Sequence, residues 1–168
     1  MRRPPPSGSR GTLVVDWAFF GEISRALALH VAREYQPEVV LGIAKAGVIP
    51  GAVVASILQC DFASMIVTRQ TEGGDPVLVA GPPASIRGRR VLIVDETCDT
   101  GHTMRLALSE VRALRPAEVH TAVSFKTGPY APDYHAFETD NFIILPWDRE
   151  IVQNGELVVR PDYAARLG

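Results

Sequence analysis

Apolar positions along this chain fall into two periods. After Asp16, placed as a helix N-cap, Phe20, Ile23, Leu27 and Val31 recur at the spacing of one helical face and stop before Pro37. Val48, Ala52, Ala55 and Leu58 mark a second helix by the same spacing, and Met104, Leu108, Val111 and Leu114 a third that ends before Pro116. Between them lie short β-branched runs without alternation: Val39 to Ile43, Val91 to Val94 and Val119 to Phe125. Such runs belong to strands buried on both faces of a parallel sheet. Met65 to Thr68 and Val77 to Val79 read as strands around the turn-rich stretch Gln70 to Pro76, and Phe142 to Leu145 as a last strand. Strands alternating with helices predict an α/β fold with a mostly parallel sheet covered on both faces. Gly155 to Gly168 carries only enough pattern for a small edge element.

Composition narrows the class. The 168 residues are 46% hydrophobic and 21% charged, enough for one sizeable core. A net charge of -2 gives no electrostatic case for nucleic acid or an anionic membrane as partner. Cys60 and Cys98 have neither metal-ligand spacing nor a disulfide framework, which fits a reducing compartment. Residues 1–11 (MRRPPPSGSRG) hold no apolar core and read as a disordered tail rather than a signal peptide or membrane span. The expectation is a cytoplasmic protein with a single domain over residues 12–168.

The chemistry concentrates in Val91 to Thr103, VLIVDETCDTGHT. A buried strand runs into Asp95 and Glu96, then into a loop of hydroxyls and glycine that opens a helix from about His102. Ligands of open α/β sheets bind at the carboxyl ends of strands, where helix amino termini supply free N–H groups with partial positive charge. Thr97, Thr100 and Thr103 offer hydroxyls, Gly101 allows close backbone approach, and a phosphate monoester suits that end of the loop. Asp95 and Glu96 suit sugar hydroxyls, directly or through Mg2+, and Asp99 stands between the two groups as a proton acceptor. Capping and turns alone would explain one acidic or hydroxyl residue here, not Asp95, Glu96, Thr97, Asp99, Thr100 and Thr103 together. A second strand, Val39 to Ala44, delivers Lys45-Ala46-Gly47 to the same sheet end ahead of another helix.

VLIVDETCDTGHT resembles the phosphoribosyl pyrophosphate (PRPP) signature of the type I phosphoribosyltransferases, and the likeness extends from about Asp16 to Glu150. The basic turn Ile86-Arg87-Gly88-Arg89-Arg90 ahead of the strand is similar to that family too. The resemblance implies the type I fold, with a PRPP-binding core and a small C-terminal hood, mainly residues 126–168, that selects the base. It implies that Thr97, Cys98, Thr100, Gly101, His102 and Thr103 bind PRPP, with the 5′-phosphate on Thr100 to Thr103, and that Lys45, Ala46, Gly47 and Arg69 bind it at the pyrophosphate. Gln70 to Pro83 would form the lid.

Ser124-Phe125-Lys126-Thr127 and Asn141 to Asp148 (NFIILPWD) resemble, in type and spacing, segments of the bacterial and archaeal xanthine, guanine and hypoxanthine enzymes. That likeness implies a 6-oxopurine site in which Lys126 donates to the 6-oxo group, Phe142 stacks on the ring and Ile143 adds apolar contact. Trp147 is assigned to packing. Asp148, with Arg149 beside it, would lie near pyrophosphate and a second metal, in addition to Asp95 and Glu96. The implied reaction gives a nucleoside 5′-monophosphate and pyrophosphate, needs Mg2+, and takes place in a homo-oligomer, dimer or tetramer. Two alternatives share the signature: transfer to orotate, uracil or adenine, and a regulator that senses PRPP or nucleotides without turnover. Cys98, in the ligand loop, would confer oxidant sensitivity if its thiolate is exposed.

Overall fold

The computed structural model describes residues 11–69 and 74–167. The elements follow in the order β1 (Thr12–Val14), α1 (Trp17–Glu34), β2 (Val39–Ala44), α2 (Val48–Leu58), β3 (Asp61–Arg69), β4 (Pro76–Ala80), a 3-10 turn (Ala84–Ile86), β5 (Arg90–Cys98), α3 (His102–Ala113), β6 (Glu118–Lys126), β7 (Tyr134–Glu138), β8 (Phe142–Ile144), β9 (Glu150–Gln153), β10 (Glu156–Val159) and α4 (Pro161–Leu167). Six strands form the central sheet in the order β4-β3-β2-β5-β6-β7, all neighbours parallel except the antiparallel pair β3 and β4.

Alternation along the buried strands explains the two layers. Val39, Leu41, Ile43, Val91 and Ile93 pack with Met104, Ala107 and Val111 of α3. Val40, Leu92, Val94 and Ala122 pack on the other face with Leu27, Ala28 and Val31 of α1 and Val54 and Ala55 of α2. Asp16 caps α1 as expected, its Oδ1 accepting from the Phe19 N–H at 2.7 Å, and Phe20, Ile23, Leu27 and Val31 are its buried stripe. The inner stripe of α2 differs from the expected one: Pro50, Gly51, Val54 and Ala55 are buried and Ala52 is exposed. An almost wholly apolar helix gives no contrast from which its inner face can be read.

The C-terminal region corrects two expectations. Tyr134–Glu138 is not part of the hood but the edge strand of the main sheet, parallel to β6. Phe142–Ile144 does not join that sheet; it pairs in parallel with Thr12–Val14, so the hood borrows a strand from the beginning of the chain. Beside it lies the antiparallel hairpin β9-β10, turned at Asn154 and Gly155 with φ of 53° and 83°, as a tight hairpin connection requires. The basic turn before β5 works at the opposite sheet end, where Arg89 pairs with Asp61 at 2.7 Å and Arg90 donates to the Gln36 carbonyl. Of the expected tail and lid, residues 1–10 and 70–73 lie outside the described residues. No described helix is long and apolar enough to cross a membrane.

Candidate active site

Strands β2, β3 and β5 end on one cleft of about 490 Å3, closed on its far side by the β8 segment and the start of α4. Strand β5 runs longer than its apolar stretch, to Cys98, so Asp95 and Glu96 are held in extended backbone before the chain turns. Gly101 makes that turn with φ of 80°, and α3 begins at His102 without a side-chain cap. The first N–H groups of α3 therefore open toward the cleft, which His102, Thr103 and Met104 all line. Such a terminus is suited to a phosphate.

The loop is packed from outside. A Cβ on Gly101 would overlap the Tyr130 ring, and the Arg105 guanidinium lies 4.8 Å from that ring's centroid while donating to the Thr100 carbonyl at 2.7 Å. Burial pushes the Tyr130 phenol pKa up. Thr127 donates its N–H to the Cys98 carbonyl at 2.8 Å, and Tyr130 its N–H to the Asp99 carbonyl at 3.0 Å, so the 127–130 turn braces the loop. Asp99 lies against Gly128, whose missing side chain makes room for the carboxylate.

The β2 loop meets the first loop at Asp95. This carboxylate is 9% exposed, and its Oδ1 accepts from the Glu96 N–H at 2.9 Å. Gly47 abuts it: a Cβ there would stand 2.7 Å from Asp95 Oδ1 and 2.6 Å from the Ile43 carbonyl oxygen. Lys45 and Ala46 line the cleft, Lys45 exposed, and the peptide joining Ala44 to Lys45 is cis. Arg69, the last residue of β3, lines the same wall. Cations from two strand ends thus face the carboxylates of a third.

At the other end of the cleft Asn141, Phe142, Ile143, Leu145, Trp147 and Asp148 form the wall with Arg160 and Tyr163. Trp147 has the packing role expected of it, edge-on to Phe20 with centroids 4.9 Å apart, although it also borders the cleft. A cleft lined both by aromatic and aliphatic side chains and by helix N–H groups and cations is suited to a flat base joined to a phosphorylated sugar.

The model of the phosphoribosyl transferase domain matches residues 14–157. The chain belongs to the phosphoribosyl transferase family. The xanthine-guanine phosphoribosyltransferase of Nitratidesulfovibrio vulgaris (strain Hildenborough) is 27% identical over 158 residues, 90% of this chain and 94% of that one. The enzyme of the same name from Gluconobacter oxydans is 29% identical over 143 residues, 80% of this chain and 83% of that one. The crystal structure of a purine phosphoribosyltransferase from Pyrococcus horikoshii Ot3 superposes with a TM-score of 0.75 at 29% identity, covering 85% of this chain and 98% of that one.

Within this phosphoribosyl transferase fold the residues singled out from the signature, Asp95 to Thr103, line one cleft together with Lys45, Ala46, Arg69, Phe142, Ile143 and Asp148. Three assignments fare differently. Lys126 does not line the cleft; it ends β6, where its ammonium forms an ion pair with Glu138 on the neighbouring strand and holds that carboxyl below its usual pKa. Asp148 borders the cleft, but Arg160 pairs with its Oδ1 and the Tyr163 hydroxyl donates to its Oδ2 at 2.6 Å. Both oxygens thus tie the Arg160–Tyr163 stretch at the start of α4 to the hood. Cys98 belongs to β5, and its side chain is 5% exposed among core residues, so the loop does not present a thiolate. Sequence reasoning missed Arg160, Tyr163 and Tyr130, which meet the site through tertiary packing. Only the Asn154-Gly155 turn signal between two apolar pairs marked the hairpin that brings Arg160 into place.

Proposed function

We propose that the protein transfers the 5-phosphoribosyl group from PRPP to a 6-oxopurine base, hypoxanthine, guanine or xanthine, giving the nucleoside 5′-monophosphate and pyrophosphate. One observation carries the reading: the Asp95–Thr103 turn with the uncapped amino terminus of α3 and the Phe142-Ile143 pair line one cleft. Relatives of similar length that bear the xanthine-guanine name support the choice of acceptor.

The charges of the reaction assign the roles. Departure of pyrophosphate leaves positive charge on the sugar ring and negative charge on the leaving group. Lys45 and Arg69 take up the negative charge at the ends of β2 and β3, and the carboxylates of Asp95 and Glu96 hold the ribose hydroxyls. The N–H groups and hydroxyls from Thr100 to Thr103 fix the 5′-phosphate and hence the position of C1. As N9 of the purine attacks, N7 gives up its proton, and Asp99 accepts it.

Mg2+ fits this donor set in one mode. Among the described residues no group of three or more His, Cys, Asp or Glu side chains forms a cage for a metal ion. Mg2+ is commonly held by one or two carboxylates together with substrate phosphates and water, and Asp95 and Glu96 supply such a pair. When bound, it would add to the neutralisation of the leaving pyrophosphate.

The test is release of pyrophosphate from PRPP and Mg2+ with hypoxanthine, guanine, xanthine, adenine, orotate and uracil offered singly. Turnover is expected with the first three alone. Turnover confined to the others would move the acceptor, and PRPP binding without any turnover would make the protein a sensor.

A further inference from the structure

The segment after the hairpin has no part in the roles assigned so far, yet it is tied to the wall that faces the base. Arg160 and Tyr163 both bond the carboxylate of Asp148, and the Tyr163 ring meets Phe142 edge-on, with centroids 5.6 Å apart and planes at 70°. One helical turn on, the guanidinium of Arg166 lies 4.2 Å from the centroid of the Phe142 ring. Phe142 and Tyr163 line the cleft, while Arg166 is exposed and is not among its lining residues. The cation thus stacks on the Phe142 ring without itself lining the cleft.

We propose that α4 is a clamp on the purine site, in which Arg166 stacks on one face of the Phe142 ring and Tyr163 holds its edge so that the other face is presented to the base. Arg166 is a positioning residue: it acts through Phe142 and does not touch the base. The inference rests on the reading of Phe142 as the stacking residue. Phe142 is only half-buried and sits on a strand of three residues. Its neighbour β1 is no longer, so backbone pairing does little to hold the ring. A cation over an aromatic face at an exposed site contributes enough to hold one rotamer over another by about two- to five-fold.

The experiment is a double-mutant cycle on the full chain with Phe142→Ala, Arg166→Ala and the double variant. KM for the purine, KM for PRPP and kcat are measured for each. Arg166→Ala is expected to raise the purine KM about two- to five-fold and leave the PRPP KM in place, with no further rise when Phe142 is already alanine. A purine KM that falls in Arg166→Ala would show the cation competing with the base, and one that does not change would show it idle; either overturns the clamp. Equal effects of Arg166→Ala with and without Phe142 would also overturn it. If Phe142→Ala itself leaves the purine KM unchanged, the base-site reading fails and the clamp falls with it, a result distinct from the others. The PRPP KM serves as the control for general damage to the fold.

Discussion

Replacing Gly101 by alanine puts a measurable price on the phosphate turn. Two penalties apply at that position. The backbone has φ of 80°, in the left-handed region, where a residue with a Cβ pays about 1–2 kcal/mol. The added Cβ also overlaps the Tyr130 ring, with Cε2 at 2.8 Å, and forcing a methyl into packed surroundings typically costs about 1–3 kcal/mol. If the turn keeps its shape, Gly101→Ala lowers the free energy of unfolding by the sum, about 2–5 kcal/mol. For a chain of this size that is a fall in Tm of roughly 2–4 °C for each kcal/mol. If the turn relaxes instead, the stability loss shrinks, but the N–H groups of α3 move off the phosphate position and the KM for PRPP rises. Chemical denaturation and PRPP kinetics on the same variant therefore give one combined answer. The double variant Gly101→Ala, Tyr130→Ala separates the terms: with the ring gone only the backbone penalty remains, so the two substitutions should couple by about the steric share. Stability within about 0.5 kcal/mol of the parent together with an unchanged PRPP KM would refute the argument.

Three further outcomes are expected. Gly128→Ala leaves the backbone unstrained but puts a Cβ on Asp99 Oδ1 and 2.8 Å from its Cα, so side-chain rotation alone does not relieve it; kcat should fall toward that of Asp99→Ala while PRPP still binds, and a wild-type kcat in either variant would remove Asp99 as the base. Tyr35 is 5% exposed and its hydroxyl bonds the Val91 carbonyl at 3.0 Å; burial, then the nearby Glu118, raises its pKa, so the neutral phenol is favoured by folding. That contribution is complete below the ordinary tyrosine pKa near 10 and fades as pH rises above it, so Tyr35→Phe should cost about 1 kcal/mol at pH 7 yet flatten the alkaline decline in stability, as denaturation across pH 8 to 11 would measure. Cys98, packed in the core, should react with a thiol reagent only at the rate of opening, and immediate labelling of Cys98 in the native protein would contradict its burial.

The elements read from sequence were those whose local pattern matches their final surroundings. β2 and β5 are apolar on both faces because both faces are covered, and α1 and α3 carry one stripe because one face meets the sheet. The turn at Gly101 was legible because a phosphate loop gathers its hydroxyls, glycine and helix start within a few consecutive residues. Tyr134–Glu138 was not, since an edge strand with His135 and Glu138 half in solvent shows neither alternation nor an apolar run. Lys126 shows the limit on side chains: its ion pair with Glu138 on the next strand cannot be read from a strand-end lysine in the sequence. The partners of Asp148 were not legible for a related reason, because they lie 12 and 15 residues further on.

The two ends of the cleft therefore differ in construction, and this bears on how each responds to change. The anion end is made of junctions between a strand and the helix that follows it, locked by close contacts that leave no volume: Gly47 against Asp95, Gly101 against Tyr130 and Gly128 against Asp99. Substitution there either strains the backbone, as at Gly101, or displaces a carboxylate, as at Gly128, so each change is felt in folding stability, in PRPP handling or in turnover. The base end joins Thr12–Val14, Phe142–Ile144 and the Arg160–Arg166 stretch through short pairings and surface charges. Its outer contacts, such as Arg166 on Phe142, are exposed and can change without opening the core, while Ile143, Leu145 and Trp147 beneath them pack with Phe20 and Ile23 of α1. Preference among purines should accordingly shift with a substitution at the exposed Arg166 that leaves unfolding nearly untouched, whereas Tyr163, 3% exposed, and Gly101, packed against Tyr130, have no comparable freedom.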